Sequence, residues 1–259
     1  MSSARKSSGA SIELKTMEEV ELMRQAGRIA AQALKAVKEA VRPGVTTDDL
    51  DQVAHRFIRG RGAIPTFVGY RGYPKTICTS INEEVVHGIP GSRVLKEGDI
   101  ISVDVGATWK GFVGDTAETF PVGSISSESQ KLVDVTRESL ARAIIAAKVG
   151  ARLGDVSWAV QSYVESQGFS VVRDFVGHGV GRQMHEEPAV PNFGEPGTGL
   201  RLSEGLVIAI EPMVNLGSHQ VDVQPDGWTV VTSDGKRSAH FEHTVAVLSE
   251  GCRILTDPS

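Results

Sequence analysis

Two aspartates on a predicted β-hairpin are the first residues in this sequence that could carry chemistry. Along residues 101–106, apolar and polar residues alternate, which places Asp104 on the polar face of a half-buried strand. A short turn leads into a second strand that carries Asp115. A loop at 109–110 sets the two aspartates opposite each other, and a loop at 110–111 makes them diagonal on one face. Like charges this close repel each other unless one is protonated or a cation lies between them.

A second pair of carboxylates follows in the C-terminal part of the sequence. Glu211 ends the most apolar predicted strand, and a buried glutamate without a partner is costly. Glu242 lies on a predicted strand over 238–247, where it shares a face with His240. Together with the two aspartates, these residues predict an oxygen-rich cluster. Such a cluster suits divalent ions such as Mn, Fe or Co better than a tetrahedral structural zinc.

Three histidines stand at positions that favour contact with a ligand. His178 follows a predicted apolar strand over 169–176 and lies in the Gly-His-Gly-Val-Gly segment 177–181, where the flanking glycines let backbone and ligand approach closely. His185 follows seven residues later in a His-Glu-Glu-Pro segment, and His87 ends an apolar stretch just before Gly-Ile-Pro. The residue types alone allow both His178 and His185 to be metal ligands.

Composition excludes several classes of protein. The chain has 259 residues with 27 Lys+Arg against 32 Asp+Glu, and its net charge of −5 excludes a strongly basic nucleic-acid binder. No apolar run approaches the about 20 residues of a membrane span. Residues 1–10 are small and polar, so we expect a disordered tail rather than a secretory signal. The two cysteines, Cys78 and Cys252, are too few for a disulfide framework and indicate a reducing, cytoplasmic location.

The elements that must position these residues are repeated along the chain. The ten residues from Leu95 to Asp104 match the ten from Leu202 to Glu211, 107 positions later, and each copy reads as a turn, an apolar strand and a carboxylate. Two predicted helices precede each copy, which implies a pseudo-twofold architecture of helices and strands. The first predicted helix follows Thr16, whose hydroxyl can cap it while Glu19 reaches back, and it stops at Arg42. Further helices are predicted from about 48 to 59, from about 128 to 148 and from 155 to 167, and the strand that carries Asp115 runs from Phe112 to Val122.

Seven segments, taken in order, carry a resemblance to a known family. They are His87-Gly88-Ile89-Pro90, Asp104, Gly114-Asp115-Thr116, Gly177-His178-Gly179-Val180-Gly181, His185-Glu186-Glu187-Pro188, Ile210-Glu211-Pro212-Met213 and Glu242-His243-Thr244. Together they closely resemble the type I methionine aminopeptidases, over about residues 11–255. The resemblance implies an α+β class, the duplicated pita-bread fold, with an antiparallel sheet covered by two pairs of helices. It implies one catalytic domain over 11–259, made of pseudo-symmetric halves at about 11–123 and 124–259.

The same resemblance implies a reaction and a role for each site residue. Members of the family hydrolyse the initiator methionine from nascent chains whose second residue is small. Two divalent ions, of Co, Mn, Fe or Zn, are then expected on five ligands: Asp104, Asp115, His178, Glu211 and Glu242. Asp115 and Glu242 bridge the two ions, and Glu211 is also the base that takes a proton from water. His185 donates to the developing oxyanion, and His87 contacts the scissile amide.

An apolar pocket for the methionine side chain is also implied by the resemblance. Its matching residues are Tyr70, Tyr73, Cys78, Met184 and Trp228, with Phe67 nearby. Met184 stands where many relatives have an aromatic residue, and Phe67 where some bacterial relatives have a cysteine. The short stretch between Glu211 and Glu242 leaves no room for the long helical insertion of type II enzymes.

Two other functions compete with this interpretation. Proline-specific peptidases share the fold and the five ligands but usually carry a further N-terminal domain, for which we expect no space before the first helix. A non-catalytic pita-bread protein that binds a ribosome or RNA would have lost its ligands, whereas all five positions are intact here. We therefore expect a monomer that acts on nascent polypeptide N-termini at the ribosome, without direct binding to nucleic acid or membrane.

Overall fold

The computed structural model of the chain describes residues 12–259, so the tail predicted over 1–10 lies outside the described part. Within that part, four α-helices are present, and the four helices predicted from the sequence are confirmed. They are α1 (Met17–Ala40), α2 (Thr47–Gly60), α3 (Ser127–Ala146) and α4 (Leu153–Ser166). A 3₁₀ turn spans Tyr70–Gly72. None of the helices over residues 12–259 combines the length and the apolar character that crossing a bilayer requires.

Fifteen short strands make up the rest of the regular structure over residues 12–259. They are β1 (Ile64–Pro65), β2 (Ile77–Ile81), β3 (Glu84–Val86), β4 (Ile100–Trp109), β5 (Phe112–Pro121), β6 (Ser170–Val171), β7 (Gly177–Gly179), β8 (Glu186–Val190), β9 (Val207–Ile210), β10 (Met213–Asn215), β11 (Val221–Val223), β12 (Val230–Thr232), β13 (Ser238–His240), β14 (Glu242–Leu248) and β15 (Gly251–Ile254).

One antiparallel sheet of nine strands forms the centre of the molecule. Its order is β1-β4-β5-β14-β9-β7-β8, with β2 also paired to β4 and β15 also paired to β14. Two three-stranded sheets, β13-β10-β6 and β11-β12-β3, flank it. One apolar core joins α1 and α2 to β2 and β4, and another joins α3 and α4 to β9 and β14. The α+β pita-bread class, with two helix pairs over an antiparallel sheet, is therefore confirmed.

Side chains at the helix starts explain where the first two helices begin. The Thr16 hydroxyl accepts from the Glu19 amide at 3.3 Å, and the Glu19 carboxylate accepts from the Thr16 amide at 3.1 Å. Thr46 and Asp49 make the same reciprocal pair at the start of α2. Each pair satisfies two amides that the first helical turn leaves free. The predicted Thr16 cap is confirmed.

The register of the β4–β5 hairpin decides between the two loops that the sequence allowed. Trp109 pairs with Phe112, so the loop is Lys110-Gly111, and both loop residues have positive φ, as a tight hairpin turn requires. Asp104 then pairs with Ala117, two positions away from Asp115 on the neighbouring strand. The two aspartates are thus diagonal on one face.

Two predicted strands are interrupted in the structure. The stretch 169–176 forms only the two-residue strand β6, because the chain bends at the exposed charged pair Arg173-Asp174. The stretch 238–247 is divided at Phe241, whose ring is buried in the core beneath α3 and α4. As a result, the strand that ends at His240 and the strand that begins at Glu242 belong to different sheets.

Candidate metal centre

Five adjacent strands of the central sheet, β4-β5-β14-β9-β7, bring the predicted ligands together. Strand β14 pairs with β5 on one side, where Glu242 lies opposite Ala117, and with β9 on the other. Glu211 directly follows β9, and His178 of β7 pairs with Ala209 of β9. The seam between the two halves of the chain therefore runs through the site.

Two threonines hold the seam strands in register beside the carboxylates. The Thr244 hydroxyl accepts from the Asp115 amide at 3.0 Å and donates to the Asp115 carbonyl at 2.7 Å. The Thr116 hydroxyl donates to the Glu242 carbonyl at 2.8 Å. Thr116 directly follows Asp115, and Thr244 lies two residues after Glu242. Each threonine hydroxyl forms hydrogen bonds with the backbone of the ligand on the opposite strand. The arrangement fixes Asp115 and Glu242 relative to each other.

Side chains of all five predicted ligands line one cavity. Asp115, His178 and Glu242 are buried, and each offers one ligand atom that lies within 4.8 Å of the other two. The Nε2 atom of His178 lies 3.5 Å from a Glu211 oxygen and 4.0 Å from an Asp115 oxygen. Asp104 and Glu211 complete the wall of the same cavity, whose volume is about 90 Å³. The structure thus places together what the sequence predicted as a set.

Burial acts on every carboxylate of this set, and repulsion from Asp115 acts on the other three. Burial raises the pKa of Asp115 to about 7. Burial, followed by repulsion from Asp115, holds the pKa values of Asp104, Glu211 and Glu242 well above the ordinary range. These shifts mean that the carboxylates are difficult to ionise together without a compensating positive charge. A cluster of this kind is a strong functional-site signal.

His178 supplies a neutral nitrogen to the cluster. Burial lowers its pKa to about 3, so its ring is neutral at pH 7. Its Nδ1 lies 2.9 Å from the Gly179 carbonyl, and donation to that carbonyl leaves the lone pair on Nε2 facing the carboxylates. A lone pair and a carboxylate oxygen 3.5 Å apart do not attract each other. A proton on Glu211 or a cation between the two atoms removes this repulsion.

Buried oxygens without partners test whether the residues fit a metal. Asp104 Oδ1, Asp115 Oδ1 and Glu242 Oε1 are buried and have no hydrogen-bond partner among the described residues. Buried polar atoms are normally satisfied, so oxygens left over in one cavity call for a ligand. Carboxylate oxygens with one imidazole form a donor set for a divalent ion. The site therefore fits a divalent cation.

The two other predicted histidines belong to the wall of the same cavity. Both His87 and His185 line it, and the His185 ring lies 4.1 Å from the His178 ring, centroid to centroid. Burial lowers the pKa of His87 to about 4 and lowers that of His185 as well. The His87 backbone has a φ of 62°, a conformation that costs free energy in a non-glycine residue and is concentrated at functional sites.

The predicted methionine pocket is an apolar cluster beside the cavity. Five of its six predicted residues meet there, and Ile89, which the sequence analysis missed, completes it. Its members are Phe67, Tyr73 and Cys78, which are buried, and Ile89, Met184 and Trp228, which pack against them. Ile89 follows the motif histidine by two residues, and that spacing was the available signal.

Tyr70 lies apart from this apolar cluster. Its hydroxyl shares a 2.7 Å hydrogen bond with His185 Nδ1, and the two rings stack with centroids 5.3 Å apart. His240 is a further residue that the predicted site did not include. Its ring is buried without a hydrogen-bond partner among residues 12–259, and its Nε2 lies 3.7 Å from a Glu211 oxygen. Tyr70 thus contacts His185, and His240 lies beside Glu211.

The geometry agrees with comparisons to known proteins. Residues 21–249 match the model of metallopeptidase family M24. The fold and the site together thus define a metallopeptidase. Methionine aminopeptidase 1 of Bacillus subtilis is 55% identical over 242 residues, which span 93% of this chain and 98% of that protein. The chain belongs to metallopeptidase family M24 and, within it, to the methionine aminopeptidases, which are metallo-exopeptidases.

Solved structures give the same result at the level of the fold. The methionine aminopeptidase of Thermotoga maritima is 50% identical, has a TM-score of 0.94, and is matched over 95% of this chain and all of that one (100%). The prolidase of Pyrococcus furiosus is only 23% identical, with a TM-score of 0.77 over 95% of this chain and 66% of that one. The second likeness is one of fold alone.

Replacing one seam carboxylate by its amide should separate metal binding from folding. We expect Asp115→Asn and Glu242→Gln to lose most bound metal, because each leaves the cations short of a counter-charge. Above pH 7 the metal-free Asp115→Asn chain should be at least as stable as the metal-free native chain. The reason is the raised pKa: ionised Asp115 costs folding free energy at high pH, and an amide does not.

Metal content after dialysis and thermal unfolding of the metal-free proteins measure both effects. Asp222→Asn, which removes a solvent-exposed acid, is the matched control and should change neither quantity. Native metal content in both seam variants would contradict the assignment of Asp115 and Glu242.

Proposed function

We propose that the protein removes the N-terminal methionine from polypeptides whose second residue is small, and that it does so with two divalent ions, of Co, Mn, Fe or Zn. The observation that carries the proposal is the juxtaposition of a buried carboxylate cluster and an apolar pocket. Met184 lines both the 90 Å³ cavity and the cluster formed by Phe67, Tyr73 and Cys78. A methionine side chain held in the apolar pocket brings its own peptide bond to the carboxylate cluster.

The five ligands divide their work in this proposal. Asp115 and Glu242 would be shared by the two ions, and Asp104, His178 and Glu211 would complete the donor set. The bound ions supply Lewis acidity and activate water for attack on a peptide carbonyl. Glu211 would accept the proton of the attacking water at a carboxylate oxygen, a role that its place in the wall of the same cavity supports.

His185 and His87 act on the peptide in this proposal. We assign the donor role in the bond between Tyr70 and His185 Nδ1 to the Tyr70 hydroxyl, so that the neutral ring carries its proton on Nε2, where it can donate to the developing oxyanion. His87 contacts the scissile amide. Their lowered pKa values support both roles, because a neutral histidine adds no positive charge beside the cations.

The apolar pocket selects methionine. Burying a methionine side chain contributes about 1.5–3 kcal/mol. Tyr73 and Trp228 are in edge-to-face contact, with ring centroids 5.0 Å apart. This contact stabilises the position of both rings in the pocket. Met184 adds a flexible thioether that adapts to the shape of another methionine.

We further propose that the protein works as a monomer in the cytoplasm, on nascent polypeptide N-termini at the ribosome. A net charge of −5 supports a contact with the emerging peptide rather than with nucleic acid. The proline-specific alternative shares the fold, but 55% identity to a methionine aminopeptidase against 23% to a prolidase favours methionine release.

Release of free amino acids from two peptide series tests the substrate. The metal-loaded protein should release methionine from Met-Gly-Met-type peptides and no amino acid from X-Pro peptides, and chelation should abolish the reaction. Trp228→Ala should lower kcat/KM for methionine peptides by roughly 10-fold, as expected for about 1.5 kcal/mol of lost side-chain burial, at unchanged metal content. Equal cleavage of Leu, Ala and Met N-termini by the native protein would contradict the assigned pocket.

The two neighbouring histidines should respond differently to removal. His185→Ala should lower kcat by about 10²–10³ with little change in KM, because it removes a donor to a charge that exists only in the transition state. His178→Ala should weaken metal affinity and recover part of its activity in excess metal. Metal titration of the two variants side by side measures this. If excess metal rescues His185→Ala and not His178→Ala, the ligand and the donor are exchanged.

A further inference from the structure

Lys15, which precedes the cap of α1, is a buried lysine that the proposed mechanism does not use. Only 1% of its side chain is exposed, although lysine is rarely buried without a specific partner. Its ammonium group lies 2.9 Å from Glu186 Oε2 and 3.2 Å from a carboxylate oxygen of the largely exposed Glu13. Its backbone amide donates to the Gly205 carbonyl at 2.7 Å. A segment of the N-terminal half is thereby anchored in the C-terminal half.

Two glycines make room for this lysine. A Cβ on Gly181 would collide with both the Lys15 side chain and the Glu186 carboxylate, and a Cβ on Gly205 would collide with the Lys15 backbone. The burial of Lys15 thus depends on a glycine in the loop that follows His178 and on a glycine in the turn before β9. Replacing a buried ion pair by apolar residues is often neutral or stabilising, so stability alone does not explain it.

Glu186 joins the buried lysine to the turn that carries two site residues. While Oε2 of Glu186 accepts from Lys15, Oε1 accepts from the Gln183 amide at 3.1 Å. This bond closes the turn from Gln183 to Glu186, whose two central residues are Met184 and His185. Met184 packs against the apolar pocket, and His185 lines the metal cavity.

We propose that Lys15 is a positioning residue that acts through Glu186 on the turn bearing Met184 and His185. By holding one oxygen of Glu186, it orients the other toward the Gln183 amide and so sets the direction of the His185 ring. The Tyr70 hydrogen bond fixes that ring from the opposite side. The kinetic part of this inference rests on the proposed aminopeptidase function, and its structural part does not.

Lys15→Met removes the charge, keeps most of the volume and tests the proposal. We expect kcat for methionine release to fall on the order of 10-fold, short of the about 10²–10³-fold that removal of a whole oxyanion donor costs. KM and metal content should change by less than about twofold. Glu13→Gln removes only the exposed partner of the same lysine and is the matched control, with kcat unchanged.

The same substitution in a His185→Ala protein distinguishes a positioning role of Lys15 from a merely structural one. In a His185→Ala protein, adding Lys15→Met should lower kcat by no more than about twofold, because the residue through which Lys15 acts is already absent. An equal loss in both backgrounds would overturn the proposal. Glu186→Gln, which weakens the same link from the other side, should reproduce this non-additivity if Lys15→Met proves too unstable to purify.

Hydrogen exchange of the metal-free protein supplies a readout that is independent of activity. The Gln183 amide should exchange at least about 10-fold faster in Lys15→Met than in the native chain or in Glu13→Gln, while core amides of β4 and β5 keep their protection. Unchanged exchange at Gln183 would overturn the proposal. If the native protein released no methionine, the proposed function would fail, and the exchange experiment would still decide whether Lys15 holds the turn.

Discussion

Four carboxylates, Asp104, Asp115, Glu211 and Glu242, share one cavity, and their mutual repulsion sets the condition that the rest of the structure must meet. Burial raises the pKa of each of them, so that the cluster is stable only when protons or cations offset its charge. Hydrophobic packing has to hold these groups together against that repulsion. The site therefore depends on stability that is supplied elsewhere in the fold.

The duplicated architecture supplies that stability where the site needs it. Each helix pair buries an apolar face of the sheet, and the strands that carry the acids meet at the seam between the two cores. At the seam, Thr116 and Thr244 each bond the backbone of the opposite strand. Gly114 lets β5 approach α1 so closely that a Cβ on it would collide with the Gly27 backbone, and a Cβ on Gly27 would collide with the Leu255 backbone. The ligands are held by rigid elements, as a metal centre requires.

The sequence predicted the parts of this structure that depend on local patterns. Thr16 and Glu19 marked a helix start because a capping box is a local arrangement, and the 107-residue offset revealed the two halves. Tertiary contacts decided the rest. Alternating residues could not distinguish the two hairpin loops, and the pattern over 238–247 gave no sign that Phe241 turns into the helical core. Lys15 resembles a solvated lysine in sequence, because its burial depends on glycines 166 or more residues away.

Counting the protons released when metal binds tests the central claim most directly. Calorimetric titration of the metal-free protein with a divalent ion at pH 6, in buffers of different ionisation enthalpy, gives that number. His178 is already neutral at this pH and releases none. The carboxylates with raised pKa values hold protons that the cations must displace, so at least one proton per chain should be released. Metal binding at this site without proton release would contradict the account.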